Sequence, residues 1–258
     1  MEEINTNIKN LLLPLNQRHN IRHSHDFAIT NKPWNEGKFN RKNNIGGIST
    51  IWKNAHFHFL GKVTSHVISF NQFETYYFES AELRENNNLT SHSHGRTLEE
   101  LFELSKQFKN FLSLNYNIHI DEKTAFNFVY IRVIDEGYIG YMAEYKVMLN
   151  LNSHFKKIYK NISFEHTDEY TDVKYMVDII VKYNDIPVAG LSVKSTIYRD
   201  STRPYLKKVK IMNQKGQNAF TSKTNLDVKC VYYNKDKNID NILEISQFIA
   251  DSILKHTS

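Results

Sequence analysis

One stretch constrains this chain more than any other: KYMVDIIVKYNDIPVAGLSVKS, from Lys174 to Ser195. Two runs of β-branched and aliphatic residues flank Asn184-Asp185, a pair that favours a tight turn. The spacing predicts a β-hairpin, with one strand over Tyr175–Tyr183 and a return strand opened by Pro187, where proline is tolerated. Asp178 lies between Val177 and Ile179. Lys194 follows Val188, Leu191 and Val193. A single charge inside an apolar strand is ordinarily an edge residue. Two opposite charges on paired strands are harder to dismiss, because burying an unpaired charge is costly.

The chain upstream of the hairpin adds a third charge. Tyr138, Tyr141, Met142, Tyr145, Met148, Leu149, Phe155 and Ile158 recur at steps of three and four and predict a helix from about Tyr138 to Tyr159. Glu144 sits at the edge of its apolar face, either as a boundary residue reaching water or as a carboxylate aimed at a metal. Ile162–His166 reads as a short strand, and Asp168, Glu169 and Asp172 read as a turn. Downstream come Arg199, Arg203, Lys207, Lys208, Lys210 and Lys215, a solvated face or a track for phosphates. LDVKCVYYN predicts another strand, and NIDNILEISQFIADSIL an amphipathic helix carrying Ile242, Ile245, Ile249 and Ile253.

The N-terminal part is less regular. Ile8–Leu15 predicts a short helix stopped by Pro14, followed by a polar, basic segment read as a surface loop or as an arm on nucleic acid through Arg18, Arg22, Lys38, Arg41 and Lys42. GGISTIWKNAHFHFLGKVTSHVISFNQFETYYFES predicts two or three strands. His56 and His58 would share a strand face there, better explained by alternation than by metal binding. His92 and His94 read as exposed loop residues. Thr97-Leu98-Glu99-Glu100 is a capping box opening a helix buried through Leu101, Leu104, Phe108, Phe111 and Leu112. NFVYIRVI reads as a strand ending at Asp135.

Composition narrows the classes. With 40% hydrophobic and 24% charged residues, the 258-residue chain can bury a sizeable core. The formal net charge of +5 suits an anionic partner. The single cysteine, Cys230, excludes an internal disulfide and reads as a small core residue. The N-terminal segment is neither a signal peptide nor a membrane span, so a cytoplasmic location is expected.

The order of helix, three strands, helix, strand, with Asp178, Ser192-Val193-Lys194 and Gly140-Tyr-Met-Ala-Glu144, resembles the PD-(D/E)XK nuclease superfamily, and within it the type II restriction endonucleases. The resemblance covers roughly the C-terminal half. It implies a mixed α/β fold with a restriction-endonuclease-like core, a central mixed sheet flanked by helices, beside an N-terminal β-rich region. It implies residues 96–258 as catalytic core and 1–95 as recognition or dimerisation region. It further implies Mg²⁺-dependent, sequence-specific cleavage of double-stranded DNA by a homodimer. Asp178, Glu144 and Val193 would be metal ligands, Lys194 the motif lysine, and Arg199, Arg203, Lys207 and Lys208 DNA contacts. The departure is Ser192, where the motif carries an acid. Some members also read S-V-K and recruit a glutamate from elsewhere, so Glu144 is the candidate, with Glu165 and Asp172 behind it. Asp135 with Glu144-Tyr145-Lys146 spells a rival D…E-x-K, but too few residues separate them to hold a strand. A nuclease-like core that binds nucleic acid without cleaving it is the alternative, as is an ordinary α/β protein with a structural Asp178–Lys194 pair. Lys194 would steady the developing charge or help orient and deprotonate the water, since a lysine in an apolar strand can have a lowered pKa.

Overall fold

The structure, a computed structural model, describes residues 2–35, 39, 69–75, 77–78, 97–202 and 204–257. The chain divides into two compact units, Met1–Ile139 and Gly140–Ser258.

The regular elements described in the first unit are all helical: α1 (Glu2–Leu11), α2 (Leu15–Arg22), α3 (His25–Asn35), helical residues 70–75 and 77–78, α4 (Leu98–Tyr116) and α5 (Glu122–Tyr130). A π-helical turn, Ile131–Asp135, leads into α6 (Glu136–Phe155). No β-rich region is present among the described residues. Much of the expected strand segment, His56, His58, His92 and His94 included, lies outside them, as do Lys38, Arg41 and Lys42. Two expectations are corrected. The described part of the basic segment after Pro14, up to Asn35, is not a loop but α2 and α3. NFVYIRVI is not a strand but the end of α5 and the π-helical turn. The reason is that Phe126, Phe128, Val129, Tyr130, Ile131, Val133 and Ile134 are all buried. A run buried on every side carries no period, so alternation and helical spacing look alike.

Local chemistry starts and stops these helices. Thr97 caps α4 by accepting the Glu100 N–H at 3.2 Å, and Asn117 closes it in the left-handed region. Asp121 caps α5 by accepting the Thr124 N–H at 2.6 Å. Trp34, Phe108 and Phe128 form an aromatic core, with Phe108 stacked on Phe128 at 5.2 Å and Trp34 edge-on to Phe108 at 5.1 Å. Buried Asn127 bridges the break at Pro14, accepting from Leu13 N–H and donating to Leu11 O, both at 2.9 Å.

The second unit is a four-stranded mixed sheet flanked by helices. Its strands are β1 (Ile162–His166), β2 (Ile179–Tyr183), β3 (Ile186–Ser195) and β4 (Val228–Tyr233), in that spatial order. The first three run antiparallel, and β4 lies parallel to β3. Asn184 and Asp185 both adopt positive φ, 50° and 63°, which is the two-residue hairpin turn their identities favour. Pro187 is exposed, ahead of the first β3 residue that pairs with β4. Helix α7 (Glu169–Tyr175) separates β1 from β2. The acids expected in a turn therefore belong to a helix, with Asp168 its N-cap, and β2 starts at Ile179 rather than Tyr175.

Short α8 (Thr196–Asp200) and long α9 (Pro204–Thr224) carry the chain from β3 to β4, and α10 (Ile242–Thr257) closes it. On one side of the sheet Tyr175, Val177, Phe220 and Leu226 make a core. A Cβ on Gly190 would meet Val177 Cγ1 at 3.0 Å, so glycine lets these side chains close over β3. Helix α10 packs on β3 and β4 with Ile245, Ile249 and Ile253 buried. Phe155 of α6 meets Phe164 of β1 at 5.5 Å.

Candidate active site

Asp178 lies where β2 begins, and β3 passes beside it. Its N–H donates to Leu191 O at 2.9 Å. Its carboxylate oxygen Oδ2 then collects three donors from the next residues of β3: Val193 N–H at 2.6 Å, Ser192 Oγ at 3.2 Å and Lys194 Nζ at 3.2 Å. The hairpin thus brings together the two charges singled out in the sequence, and the intervening Ser192-Val193 as well. Asp178 and Ser192 are buried, whereas the Lys194 side chain keeps 20% of its exposure.

Glu144, on α6, is half-buried, and its charge is felt at Lys194. Burial works against the charge on Lys194, but the carboxylates of Asp178 and Glu144 outweigh it and raise the ammonium above its ordinary pKa. The direction is thus opposite to the lowering that an apolar strand can cause, and the group is held charged. Tyr233 senses the same three groups. Burial raises its hydroxyl, Glu144 and Asp178 raise it further, and Lys194 opposes them.

The other proposed acids stand elsewhere. Glu165 is on β1, paired with Lys182 at 2.6 Å. Asp172 is buried within α7. Asp135, from the rival motif, is tied to Arg18 by bonds of 2.9 and 3.0 Å. No strand separates it from Glu144 and Lys146, both of which lie on α6. Arg18 itself is 3% exposed, and so is not a free phosphate contact. Arg22 pairs with Glu136 at 3.4 Å.

Of the basic run, Arg199 is held by Asp200 and Asp240 and lies over the Tyr232 ring at 5.3 Å. Lys207 and Lys208 are exposed near the start of α9. Lys210 donates to the carbonyls of Arg199 (2.7 Å) and Ser201 (3.1 Å) and so ends α8. Arg203 lies outside the described residues.

A second set of neighbours escaped the sequence reading. Register places Cys230 opposite Ser192, and Tyr232 opposite Lys194. Cys230 is half-buried, not a core residue, and receives Gln217 Nε2 at 3.9 Å. Burial, then Cys230, push the Tyr232 hydroxyl up to about 12. Asn213, also on α9, donates to the Tyr198 hydroxyl at 3.0 Å. Alternation in VKCVYY was the available signal, since it puts Cys230 and Tyr232 on one face. Only the parallel register says that this is the face of Lys194.

The donor set suits a hard divalent cation. Among the described residues no three His, Cys, Asp or Glu side chains form a metal centre. The candidate donors are instead two carboxylates, Asp178 and Glu144, and the Val193 carbonyl. Gly190 N–H turns to Asp227 of the neighbouring connection, while Leu191 O and Val193 N–H turn to Asp178. Main-chain groups of one strand residue share an edge, so the Val193 carbonyl faces the Asp178 side too. Oxygen donors of this kind fit Mg²⁺, which retains several waters.

Comparison with protein families identifies the class as a restriction endonuclease: residues 28–247 match that family's model. The chain belongs to the MjaI restriction endonuclease family, and family membership implies a deoxyribonuclease. No curated protein and no solved structure matches it. Among the described residues no helix is long and apolar enough to cross a membrane.

Proposed function

We propose that this restriction endonuclease cleaves double-stranded DNA at a specific sequence, with Mg²⁺, at the β2–β3 edge. The observation that carries the reading is the convergence of Val193 N–H, Ser192 and Lys194 on Asp178, with Glu144 in electrostatic reach. Asp178, Glu144 and the Val193 carbonyl would hold the ion. When bound, Mg²⁺ supplies a water activated near neutral pH and neutralises charge on the phosphate. Ser192 and the Val193 N–H fix the Asp178 carboxylate. Lys194, kept protonated by its two carboxylates, donates to a phosphate oxygen and steadies charge rather than removing a proton.

The order helix, three antiparallel strands, helices, parallel strand, helix supports a PD-(D/E)XK core. In this reading residues 96–258 carry the chemistry. Residues 1–95 serve recognition and dimer contacts, and two copies of the chain act on the two strands. Lys207 and Lys208 contact phosphates, joined by Arg203 and by Arg199 once it exchanges a carboxylate for DNA. Ser192, standing where an acid is usual, favours a second reading in which DNA is bound but not cut.

Incubation of plasmid and phage DNA with Mg²⁺ or EDTA, using wild type and Asp178→Ala, decides between them. Discrete fragments that need the metal and vanish in the variant support cleavage at this site. DNA that is shifted on a gel but stays intact supports the second reading.

A further inference from the structure

We infer that Thr167 is the positioning residue of the catalytic carboxylate, through a two-bond grip on the main chain at Asp178. The inference rests on the reading of Asp178 as a metal ligand.

Asp178 is reached by an awkward route. Helix α7 is capped by Met176, whose φ of 56° puts it in the left-handed region, and the chain must then enter β2 after two more residues. The main-chain bond that closes the turn, Met176 N–H to Asp172 O at 2.9 Å, lies ahead of Asp178, and the neighbouring strands hold Asp178 itself. Thr167, the residue after β1, is buried at 3% exposure. Its Oγ1 donates to Val177 O at 2.6 Å, with Asp178 O at a longer 3.4 Å, and its N–H donates to Asp178 O at 3.1 Å.

These two bonds act on different peptide planes. The plane between Val177 and Asp178 is held at its oxygen by the Thr167 hydroxyl and at its nitrogen by Leu191 O, 2.9 Å away. The plane between Asp178 and Ile179 is held at its oxygen by the Thr167 N–H. With both flanking planes fixed, φ and ψ of Asp178 are fixed, and with them the Cα–Cβ direction. Val193 N–H, at 2.6 Å, then fixes the far end of the side chain. The hydroxyl is the only part of this arrangement that depends on a side chain of β1 or its extension. A valine of the same shape would keep the packing and the N–H bond, yet release the oxygen of the first plane. Displacements of about 1 Å in a reacting group can cost about 100-fold in rate.

The test compares wild type, Thr167→Val, Thr167→Ser and Asp178→Ala as full-length proteins. Cleavage is measured under single-turnover conditions and Mn²⁺ binding by calorimetry without DNA. The expected result for Thr167→Val is a rate about 10- to 100-fold lower and Mn²⁺ binding at least about 5-fold weaker. Metal-free DNA binding should be unchanged, and Thr167→Ser should come within about 3-fold of wild type in both readouts. If Thr167→Val does not fold, Thr167→Ala replaces it. Alanine and serine both lack the methyl and differ in the hydroxyl alone. Equal behaviour of the variants with and without the hydroxyl overturns the inference, as does Thr167→Val matching wild type while Asp178→Ala is inactive. Cleavage that survives Asp178→Ala instead overturns the assignment of the site.

Discussion

Arg18 grips Asp135 through two parallel bonds, Nε to Oδ2 at 2.9 Å and Nη2 to Oδ1 at 3.0 Å, and both residues are buried. Its third nitrogen, Nη1, donates to Leu13 O at 2.6 Å, and the guanidinium lies 4.8 Å from the Tyr130 ring centroid. Burial raises the Asp135 carboxyl above its ordinary pKa, and the hydrogen bond and charge of Arg18 oppose only part of that rise. A charge in this setting holds α2 to the π-helical turn, and it stabilises only as one of a pair.

Arg18→Ala should therefore destabilise the protein by about 3–5 kcal/mol, since it leaves a buried carboxylate alone. The double variant Arg18→Met, Asp135→Leu should recover most of that loss. Urea unfolding of the three proteins checks the pattern. The salt dependence of DNA binding by folded Arg18 variants should match wild type, because this cation neutralises a carboxylate and not a phosphate. A lower slope would return Arg18 to the DNA surface.

Removing Lys194 should separate metal binding from turnover. Its ammonium stands 3.2 Å from Asp178 Oδ2, where it competes with any cation for that oxygen. Lys194→Met should bind Mn²⁺ at least as tightly as wild type, yet cleave about 100-fold more slowly or worse. Weaker Mn²⁺ binding, measured by calorimetry, would mean that the lysine organises the carboxylates rather than acting on phosphate.

The cap of α5 carries a pH signature. Bonds from the Thr124 N–H and hydroxyl are the chief cause that holds the Asp121 carboxyl below its ordinary pKa. A depressed carboxylate favours the folded state above its unfolded pKa, about 4, and the benefit disappears as pH falls through the folded value. Asp121→Ala should cost about 1 kcal/mol at pH 7, and the gap between variant and wild type should shrink as the pH is lowered below 4. Thermal unfolding at pH 7, 4 and 3 measures it. A gap independent of pH would show that the lost contribution is not the charged cap.

How much of this was legible in sequence varied with what holds each element. The β2–β3 hairpin was readable because apolar runs, Asn184-Asp185 and Pro187 all agree. The capping box at Thr97 was readable because its chemistry is local. Helix α2 was not, because its buried anchor is Arg18, and no hydrophobic stripe reports a helix held by a charge. The end of α5 was misread because burial on every side erases the period. Asp178 and Lys194 could be paired from the hairpin alone. Thr167, Cys230 and Tyr232 join them only through the pairing of β1 with β2 and of β3 with β4, contacts that span the inserted α7, α8 and α9.

The most direct test remains the metal-dependent cleavage assay with Asp178→Ala. Wild type with Mg²⁺ should give discrete fragments from plasmid and phage DNA, and none with EDTA. Asp178→Ala should leave the DNA intact while still binding it. Fragments of the same pattern from Asp178→Ala would contradict the assignment of the β2–β3 edge as the site of cleavage.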